Sequence, residues 1–319
     1  MGKNNVSLRG RNILDLDVFS PEEINLVLET AKEMKNVIHR DIKKVPTLRG
    51  KSIVTLFYEP STRTRTSFEL AGKYLGADVV NINASTSSVV KGESLRDTLQ
   101  TIEAMGVDAI VMRTKAEGAA EYAAKAVSPV IVNAGDGAHA HPSQALLDLF
   151  TIQQHKGHLA GCKVAILGDI LHSRVARSDI HGMRKMGMEV HLAGPKTLLP
   201  RFLYQEEGIF VHDNVEDAIR DADVINVLRV QLERKKAGLF PSTREYARLY
   251  GLSEDRLAMA KEDALVLHPG PINKGLDISP FVAYGSHSAI QEQVQNGAAV
   301  RMALLTLVLT GGKNIETIA

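Results

Sequence analysis

Short apolar runs alternate with longer segments of helical periodicity along most of this chain. The strand-length runs form two series: Ser52–Tyr58, Asp78–Asn83, Asp108–Met112 and Pro129–Ala134, then Lys163–Leu167, Glu189–Ala193, Ile209–His212, Asp223–Leu228 and Ala264–Leu267. Alternation of apolar strands with helices is typical of βαβ units, which form parallel sheets. The pattern therefore predicts an α/β protein with two doubly wound parallel sheets.

Three segments have the periodicity and the end signals of helices. Ser20-Pro21 opens an amphipathic segment, and Pro142 opens a segment that joins the two series of strands. A serine before a helix and a proline at its first position are typical of helix starts. The segment from Ile290 to Leu309 is apolar on almost every face and predicts a buried helix.

The length of the chain indicates two domains, because 319 residues is about twice the size of a typical domain. We expect residues 1–142, completed by a C-terminal helix over 291–319, to form the first domain. Residues 143–290 are expected to form the second. Interdomain helices would join the two, with the active site in the cleft.

Composition and charge exclude several classes of protein. Lys and Arg total 38 and Asp and Glu total 37, so no global field favours nucleic acid or a membrane surface. The polar N-terminus lacks the apolar core of a signal peptide, and no apolar run is long enough to span a membrane. We therefore expect a cytoplasmic protein with local anion sites.

The single cysteine, Cys162, precedes a strand and is interpreted as a buried apolar residue instead of a nucleophile.

The turn after the first predicted strand is rich in hydroxyls and arginines. It has the sequence Ser61-Thr62-Arg63-Thr64-Arg65-Thr66 and leads into a helix-like segment. A helix start has unpaired N–H groups and a positive dipole, so two arginines there are unfavourable unless an anion is also bound. The turn therefore predicts a phosphate or carboxylate site. In the alternative interpretation, Ser61 only caps the helix and Arg65 pairs with Glu69.

Other polar side chains follow neighbouring strands, where ligands bind in doubly wound sheets. Arg113 follows the third predicted strand, and Asn133–Gln144 follows the fourth. His139 and His141 have the spacing of a metal-binding pair, but no matched further ligands are present, so we expect no metal. A neutral His141 at a helix start is suited to donate a hydrogen bond to a carbonyl oxygen. A purely structural His141 stays open as an alternative.

The second series of strands predicts a second anion site. Arg174 begins a helix after one strand, and Arg229 follows another with Gln231 close by. The G-x-G-x-x-G pattern is absent after Val164, which disfavours a dinucleotide site. The stiff turn His268-Pro269-Gly270-Pro271 could present backbone carbonyls to an amide of a ligand. Lys91 ends a serine-rich loop in the first half and is either a solvated lysine or a mobile partner for an anion.

Taken together, these motifs resemble the carbamoyltransferase family, and within it the catalytic chains that use aspartate. The resemblance extends from about Leu14 to Leu309. Its motifs are Phe57–Arg65, Lys91–Glu93, Val111–Arg113, Asn133–Gln144, Arg229–Arg234 and the turn His268–Pro271. The resemblance implies transfer of a carbamoyl group from carbamoyl phosphate to L-aspartate in pyrimidine biosynthesis, with no cofactor and no metal.

The resemblance also implies roles for individual residues. For carbamoyl phosphate it implies Ser61, Thr62, Arg63, Thr64, Ser87, Lys91, Arg113, His141, Gln144, Pro269 and Gly270. For aspartate it implies Lys91, Arg174, Arg229 and Gln231. The catalytic members of these sets are Arg63, Thr64, Lys91, Arg113 and His141. Donors that face the reacting carbonyl would stabilise its oxyanion charge, and the departing phosphate could accept the amine proton.

Assembly is implied by the resemblance alone. Ser87 and Lys91 match a loop that reaches into the site of a neighbouring subunit, so a homotrimer with shared active sites is expected. Glu59 would bridge Arg174 and Arg234 when the domains close. Regulatory or pathway-enzyme chains are left open as further partners. One position departs from the pattern: Gly270 stands where some members have leucine, which puts the local packing in doubt.

Two rival interpretations remain. An ornithine-specific member of the family would have a cysteine in the turn His268–Pro271 and an S-M-G loop, and neither is present. The charge of Arg229 would also repel the distal ammonium of ornithine. A catalytically silent homologue that acts as an assembly partner would be expected to lose Arg63, Lys91 or His141, and all three are present.

Overall fold

The structure is a computed structural model that describes residues 6–83, 92–230 and 242–312. The chain divides into two compact units: unit 1 comprises Met1–Leu147 and Val294–Ala319, and unit 2 comprises Asp148–Gln293. The sequence placed these divisions after residues 142 and 290. Which substrate each unit binds stays a prediction.

Unit 1 contains a four-stranded parallel sheet in the order β2-β1-β3-β4. Its strands are β1 (Ser52–Phe57), β2 (Asp78–Asn83), β3 (Ala109–Thr114) and β4 (Val130–Asp136). Its helices are α1 (Pro21–Ile38), α2 (Thr62–Tyr74), α3 (Leu95–Ala104) and α4 (Ala119–Ala126), with a short 3₁₀ turn over Pro46–Leu48. The next helix, α5 (Pro142–Lys156), contains the division between the units.

Unit 2 contains a five-stranded parallel sheet in the order β7-β6-β5-β8-β9. Its strands are β5 (Lys163–Leu167), β6 (Glu189–Ala193), β7 (Ile209–His212), β8 (Val224–Val227) and β9 (Leu265–Leu267). Its helices are α6 (Arg174–Lys185), α7 (Val215–Ile219), α8 (Thr243–Tyr250), α9 (Glu254–Leu257) and α10 (Pro280–Ala283), with 3₁₀ turns over Lys196–Leu198 and Arg201–Gln205. The last helix, α11 (Ile290–Thr310), contains the second division.

Both sheets confirm the predicted fold class, an α/β protein with two parallel-sheet domains. Most of the apolar runs form strands whose side chains are buried by helices, as in the apolar core beneath α3 and α4, whereas β2 is mostly exposed. The start signal at Ser20 is a complete capping box, in which its hydroxyl accepts from the Glu23 N–H at 3.3 Å and the Glu23 carboxylate accepts from the Ser20 N–H at 2.8 Å. No helix within the described ranges is apolar over a length that could cross a bilayer.

Two strands extend further than the sequence predicted. β3 continues through Arg113 and Thr114, and β4 continues through Gly135 and Asp136. Thr114 pairs with Asp136 beyond a register irregularity, so the parallel ladder includes polar residues that were expected after the strands. The correction matters for the site, because side chains fixed in a strand have less conformational freedom than those on a loop.

Candidate active site

The start of α2 in unit 1 is an open helix N-terminus. Ser61 is its N-cap residue, but the Ser61 side chain accepts no capping hydrogen bond, and the first turn contains no acidic residue. The interpretation of Ser61 as a simple side-chain cap is therefore wrong. A cavity of about 160 Å³ lies against this turn. Its lining includes Glu59, Ser61, Thr62 and Arg65. Exposed N–H groups and a positive dipole make such a place suitable for an anion.

The two arginines of this turn have different surroundings. Arg63 is exposed, and partial desolvation lowers the pKa of its guanidinium, which stays charged at neutral pH. The Arg65–Glu69 ion pair of the alternative interpretation is replaced by one between Lys73 and Glu69 one turn further along. The hydrogen bond from Lys73 lowers the pKa of the Glu69 carboxyl, and the charge of Arg65 contributes least. Arg65 instead lines the cavity at the helix start.

Arg113 joins β3 to the open turn. Its Nη1 donates to the Ala134 carbonyl at 3.2 Å and lies 3.5 Å from the hydroxyl of Thr64. Its Nε lies 3.7 Å from the carboxylate of Glu59, and both Glu59 and Thr64 are buried. The structure thus brings together Glu59, Thr64 and Arg113, three of the predicted site residues. The predicted bridge from Glu59 to Arg174 and Arg234 stays a prediction.

A loop organised by Asp136 leads to His141 and Gln144. The Asp136 carboxylate accepts from the N–H groups of Gly118 at 2.9 Å and Ala140 at 3.1 Å, and Asn133 Nδ2 donates to it at 2.8 Å. His141 is 4% exposed and directly precedes α5, and the Gln144 N–H donates to its carbonyl at 2.9 Å. Sequence reasoning missed Asp136, whose only signal was its place beside Asn133 in a polar run.

The ring of His139 lies beside two carboxylates. His139 Nδ1 lies 3.0 Å from the Asp136 carboxylate, and its Nε2 lies 3.9 Å from that of Asp15. Within the described ranges, no three histidine, cysteine, aspartate or glutamate side chains group in a way that could hold a metal ion. The geometry instead gives His139 the role of a partner to Asp136.

In unit 2, Arg174 lies at the start of α6, which follows the central strand β5. The hydroxyl of Ser173 accepts from the Ala176 N–H at 3.1 Å, so this helix is capped by its own chain. Arg174 is buried, with 4% of its surface exposed. The preceding turn is closed by Asp169, whose carboxylate accepts from the His172 N–H at 3.2 Å. Arg174 is therefore held at the carboxyl end of β5, as the pattern predicted for a ligand site.

Two further predicted segments of unit 2 are held by side chains of the same unit. The N–H of Val230, which follows Arg229, donates to Asp277 at 3.1 Å. In the turn after β9, the Gly270 N–H donates to His268 Nδ1 at 2.8 Å. Gly270 has φ of 58°, a left-handed conformation that glycine adopts readily and leucine does not. The departure from leucine at this position therefore matches the local backbone.

Four predicted residues, Ser87, Lys91, Gln231 and Arg234, lie outside the described residues. Their roles stay predictions.

Cys162 is buried, and burial raises the pKa of its thiol. Its sulfur lies 3.3 Å from His158 Nδ1. A raised pKa disfavours the thiolate form, which agrees with an apolar packing role for this cysteine.

Family comparisons decide between the classes of anion-binding protein that this geometry allows. Residues 11–154 match the model of the aspartate/ornithine carbamoyltransferase carbamoyl-P binding domain, and residues 160–308 match the model of the Asp/Orn binding domain. The chain belongs to the aspartate/ornithine carbamoyltransferase family. Both models of this carbamoyltransferase family together cover the two sheets described above.

Two curated relatives are highly similar to this carbamoyltransferase over almost its whole length. The aspartate carbamoyltransferase catalytic subunit of Desulforamulus reducens is 61% identical over 303 residues, which is 95% of this chain and 96% of that protein. That of Pelotomaculum thermopropionicum is 60% identical over 307 residues, which is 96% of this chain and 99% of that protein.

Solved structures confirm the fold and show the limit of structural similarity. Aspartate transcarbamoylase from Trypanosoma cruzi, in complex with carbamoyl aspartate and phosphate, has a TM-score of 0.86 and 31% identity, covering 95% of this chain and 97% of that one. Ornithine carbamoyltransferase from Pyrococcus furiosus also has a TM-score of 0.86, with 30% identity, covering 96% and 99%. The backbone therefore does not separate aspartate from ornithine as acceptor, and the side chains must do so.

Proposed function

We propose that this chain is the catalytic subunit of an aspartate carbamoyltransferase. It would convert carbamoyl phosphate and L-aspartate into N-carbamoyl-L-aspartate and phosphate, a step of de novo pyrimidine biosynthesis. The observation that supports this most strongly is the identity of about 60% to relatives of that name over nearly the whole chain. The open start of α2 supports a phosphorylated first substrate.

In the proposed mechanism, unit 1 binds carbamoyl phosphate. The phosphate lies at the start of α2, where Ser61, Thr62, Arg63 and Thr64 surround it, with Ser87 and Lys91 added from the loop. In this mechanism Arg113, whose Nη1 lies 3.5 Å from the Thr64 hydroxyl, contacts both the phosphate and the carbonyl oxygen. His141 and Thr64 donate to the same carbonyl oxygen and stabilise the oxyanion as it forms.

Unit 2 binds aspartate in this proposal, with Arg174 and Arg229 as partners of its two carboxylates, assisted by Gln231 and Lys91. Gln144 and the carbonyls of Pro269 and Gly270 hold the carbamoyl amide. The amine nitrogen of aspartate forms a bond to the carbamoyl carbon, and the bond from that carbon to the phosphate oxygen breaks. The departing phosphate accepts the amine proton, so the step needs no separate base and no cofactor.

Ornithine is a poorer acceptor on physical grounds. Its distal ammonium would lie close to the guanidinium of Arg229, and like charges at such a distance repel strongly in a site of low dielectric constant. The turn His268-Pro269-Gly270-Pro271 also lacks the cysteine that ornithine-specific members have. These side chains distinguish the acceptors where the backbone fold does not.

The deciding experiment compares carbamoylation of aspartate and of ornithine by the purified chain. We expect turnover with aspartate alone. Arg229→Ala should raise the KM for aspartate at least about tenfold, with the KM for carbamoyl phosphate little changed. Arg201→Ala, which removes an exposed arginine of the same unit, is the matched control and should change neither. Turnover of ornithine alone, or an unchanged aspartate KM in Arg229→Ala, would overturn the assignment.

We also propose a homotrimer with shared active sites, in which Ser87 and Lys91 act in the site of the neighbouring subunit. The edge strand β2 supports an interface, because Val80 is 55% exposed although the strand is rich in apolar residues. Mixing Lys91→Ala chains with His141→Ala chains should restore part of the activity, since some mixed trimers then contain an intact site. Mixed trimers that form but remain inactive would count against shared active sites.

The cytoplasmic location and any regulatory or pathway-enzyme chains stay predictions.

A further inference from the structure

Two buried aspartates in unit 2 lie outside the mechanism. Asp148 on α5 and Asp179 on α6 are each 0% exposed, and they hydrogen-bond each other. A carboxylate only accepts hydrogen bonds, so a bond between two carboxyls requires that one of them carry a proton. Burial, and then the neighbouring charge of Asp148, raise the pKa of Asp179 well above its ordinary value. The hydrogen bond between the two carboxyls therefore places one proton between Asp148 and Asp179.

Each aspartate also accepts a bond from a side-chain amide. Asn226 Nδ2 in β8 donates to Asp179 at 2.9 Å, and Gln293 Nε2 donates to Asp148 at 2.6 Å. Because the Gln293 amide nitrogen is directed at Asp148, its oxygen is fixed and accepts from the His268 N–H at 2.9 Å. Four side chains thus form one chain of hydrogen bonds from β8, through α6, α5 and α11, to the turn after β9.

The chain of bonds continues to the segments that are proposed to bind aspartate. His268 Nδ1 accepts from the Gly270 N–H at 2.8 Å, which leaves the proton on Nε2, 3.3 Å from Asp277. Asp277 accepts from the N–H of Val230 at 3.1 Å, directly after Arg229. At its other end, Asp179 lies on the same helix as Arg174, five positions along the sequence. A single network therefore contacts α6, the end of β8 and the turn containing Pro269 and Gly270.

We propose that Asp179 is a positioning residue, which holds Arg174, Arg229 and the Pro269–Gly270 turn in register by donating a hydrogen bond to Asp148 while it accepts one from Asn226. This inference rests on the proposed function for its effect on aspartate. An ordinary packing role would be satisfied by any side chain of similar volume. The proposed role requires a group that donates to Asp148 and accepts from Asn226 at the same time.

The two roles are separated by a pair of variants. In Asp179→Asn the amide donates to Asp148 and its oxygen accepts from Asn226, so the network is kept without a shared proton. Asp179→Leu keeps the branched shape and the number of side-chain heavy atoms, but leucine neither donates to Asp148 nor accepts from Asn226. We expect Asp179→Leu to raise the KM for aspartate about tenfold, while Asp179→Asn stays within about twofold of the wild type. The KM for carbamoyl phosphate should be unchanged in both.

Two measurements do not depend on activity. Infrared spectroscopy of the wild type at neutral pH should show the carbonyl stretch of a buried protonated carboxyl, which Asp179→Asn should remove. Hydrogen exchange at the amides of Val230 and Gly270 should be faster in Asp179→Leu and unchanged in Asp179→Asn. Asp255→Leu, which replaces an exposed aspartate of the same unit, controls for a general effect of the substitution.

The outcomes separate failure of this inference from failure of the proposed function. The inference would be overturned if the wild type lacked the infrared signal of a protonated carboxyl. It would also be overturned if Asp179→Asn and Asp179→Leu raised the KM for aspartate equally. If Asp179→Leu does not fold, the inference is tested with Asp179→Asn alone, by its infrared difference from the wild type and its KM for aspartate. A KM for aspartate in Asp179→Asn far above that of the wild type would contradict the inference. If the wild type does not carbamoylate aspartate, the function fails while the exchange data still test the network.

Discussion

The starts of α2 and α6 are built from the same sequence signal and have opposite structures. Each helix follows the first strand of its unit's sheet in chain order, β1 or β5, and each has a serine N-cap followed by an arginine in the first turn. The hydroxyl of Ser173 caps α6 through the Ala176 N–H at 3.1 Å, whereas the hydroxyl of Ser61 caps nothing in α2. Only α2 therefore offers its N–H groups to an anion, and α6 contributes the side chain of Arg174 alone.

The residue type does not decide the difference, and the two serines also differ in backbone conformation. Ser61 has φ of −159° and ψ of 88°, while Ser173 has φ of −100° and ψ of 105°. The serines before α1, α3, α8, α9 and α10 all accept a capping bond, as Ser173 does. A serine before a helix thus predicts the position of the helix start, but it does not predict whether that start is closed.

The largest expected effect comes from removing the exposed charge at the open start. Arg63→Ala should lower kcat/KM for carbamoyl phosphate about 10²–10³-fold, because a charged donor to the phosphate and its developing negative charge is lost. Steady-state kinetics at saturating aspartate measures the effect. Arg65→Ala, in the same turn, is the matched control with a smaller expected loss. If Arg63→Ala keeps activity near that of the wild type, the start of α2 does not bind the phosphate of carbamoyl phosphate.

A carboxylate placed at the open start tests the same comparison in the opposite direction. Ser61→Asp supplies an internal anion that can accept from the free N–H groups, so we expect the free protein to gain about 0.5–1 kcal/mol of stability. Phosphate should then bind about tenfold or more weakly, because the two anions compete for one site. Urea unfolding with and without phosphate measures both effects. A variant that keeps the full stabilisation by phosphate would contradict an anion site at this turn.

The smallest expected effect belongs to the closed start. Ser173→Ala removes the bond to the Ala176 N–H and should lower the free energy of unfolding by about 1 kcal/mol. Stabilisation by phosphate should be unaffected, since this helix start is already occupied by its own chain. Thermal unfolding in the presence and absence of phosphate provides the test. An increased response to phosphate would mean that α6 also becomes an anion site once its cap is removed.

The sequence predicted the sheets well because buried parallel strands are short apolar runs. It missed the ends of β3 and β4, where Arg113 and Asp136 continue the ladder as polar residues. Among the side chains, Glu69 pairs with Lys73 instead of with Arg65, its partner in the alternative interpretation. Lys73 lies four residues after Glu69, in the orientation that favours an ion pair on a helix. Local spacing allowed both pairs, and only the folded surroundings of Arg65 decided between them.

The buried network was beyond sequence reasoning for a different reason. Asp148 and Asp179 are 31 positions apart, and each has the local pattern of an ordinary polar position on a helix. Their proton sharing depends on complete burial and on the amides of Asn226 and Gln293, which come from two other elements. Such a contact is set by tertiary packing, and no local propensity indicates it.

The hydrogen bonds to Asp136 link the start of α4 to the loop before α5. The carboxylate that holds Ala140, next to His141, also accepts from the N–H of Gly118 at the start of α4, a helix whose N-cap glycine has no side chain to offer. Displacing the loop would therefore expose the end of α4, and loosening α4 would release the loop. A single substitution of this aspartate would release both the start of α4 and the loop before His141, although the carboxylate itself has no proposed contact with substrate.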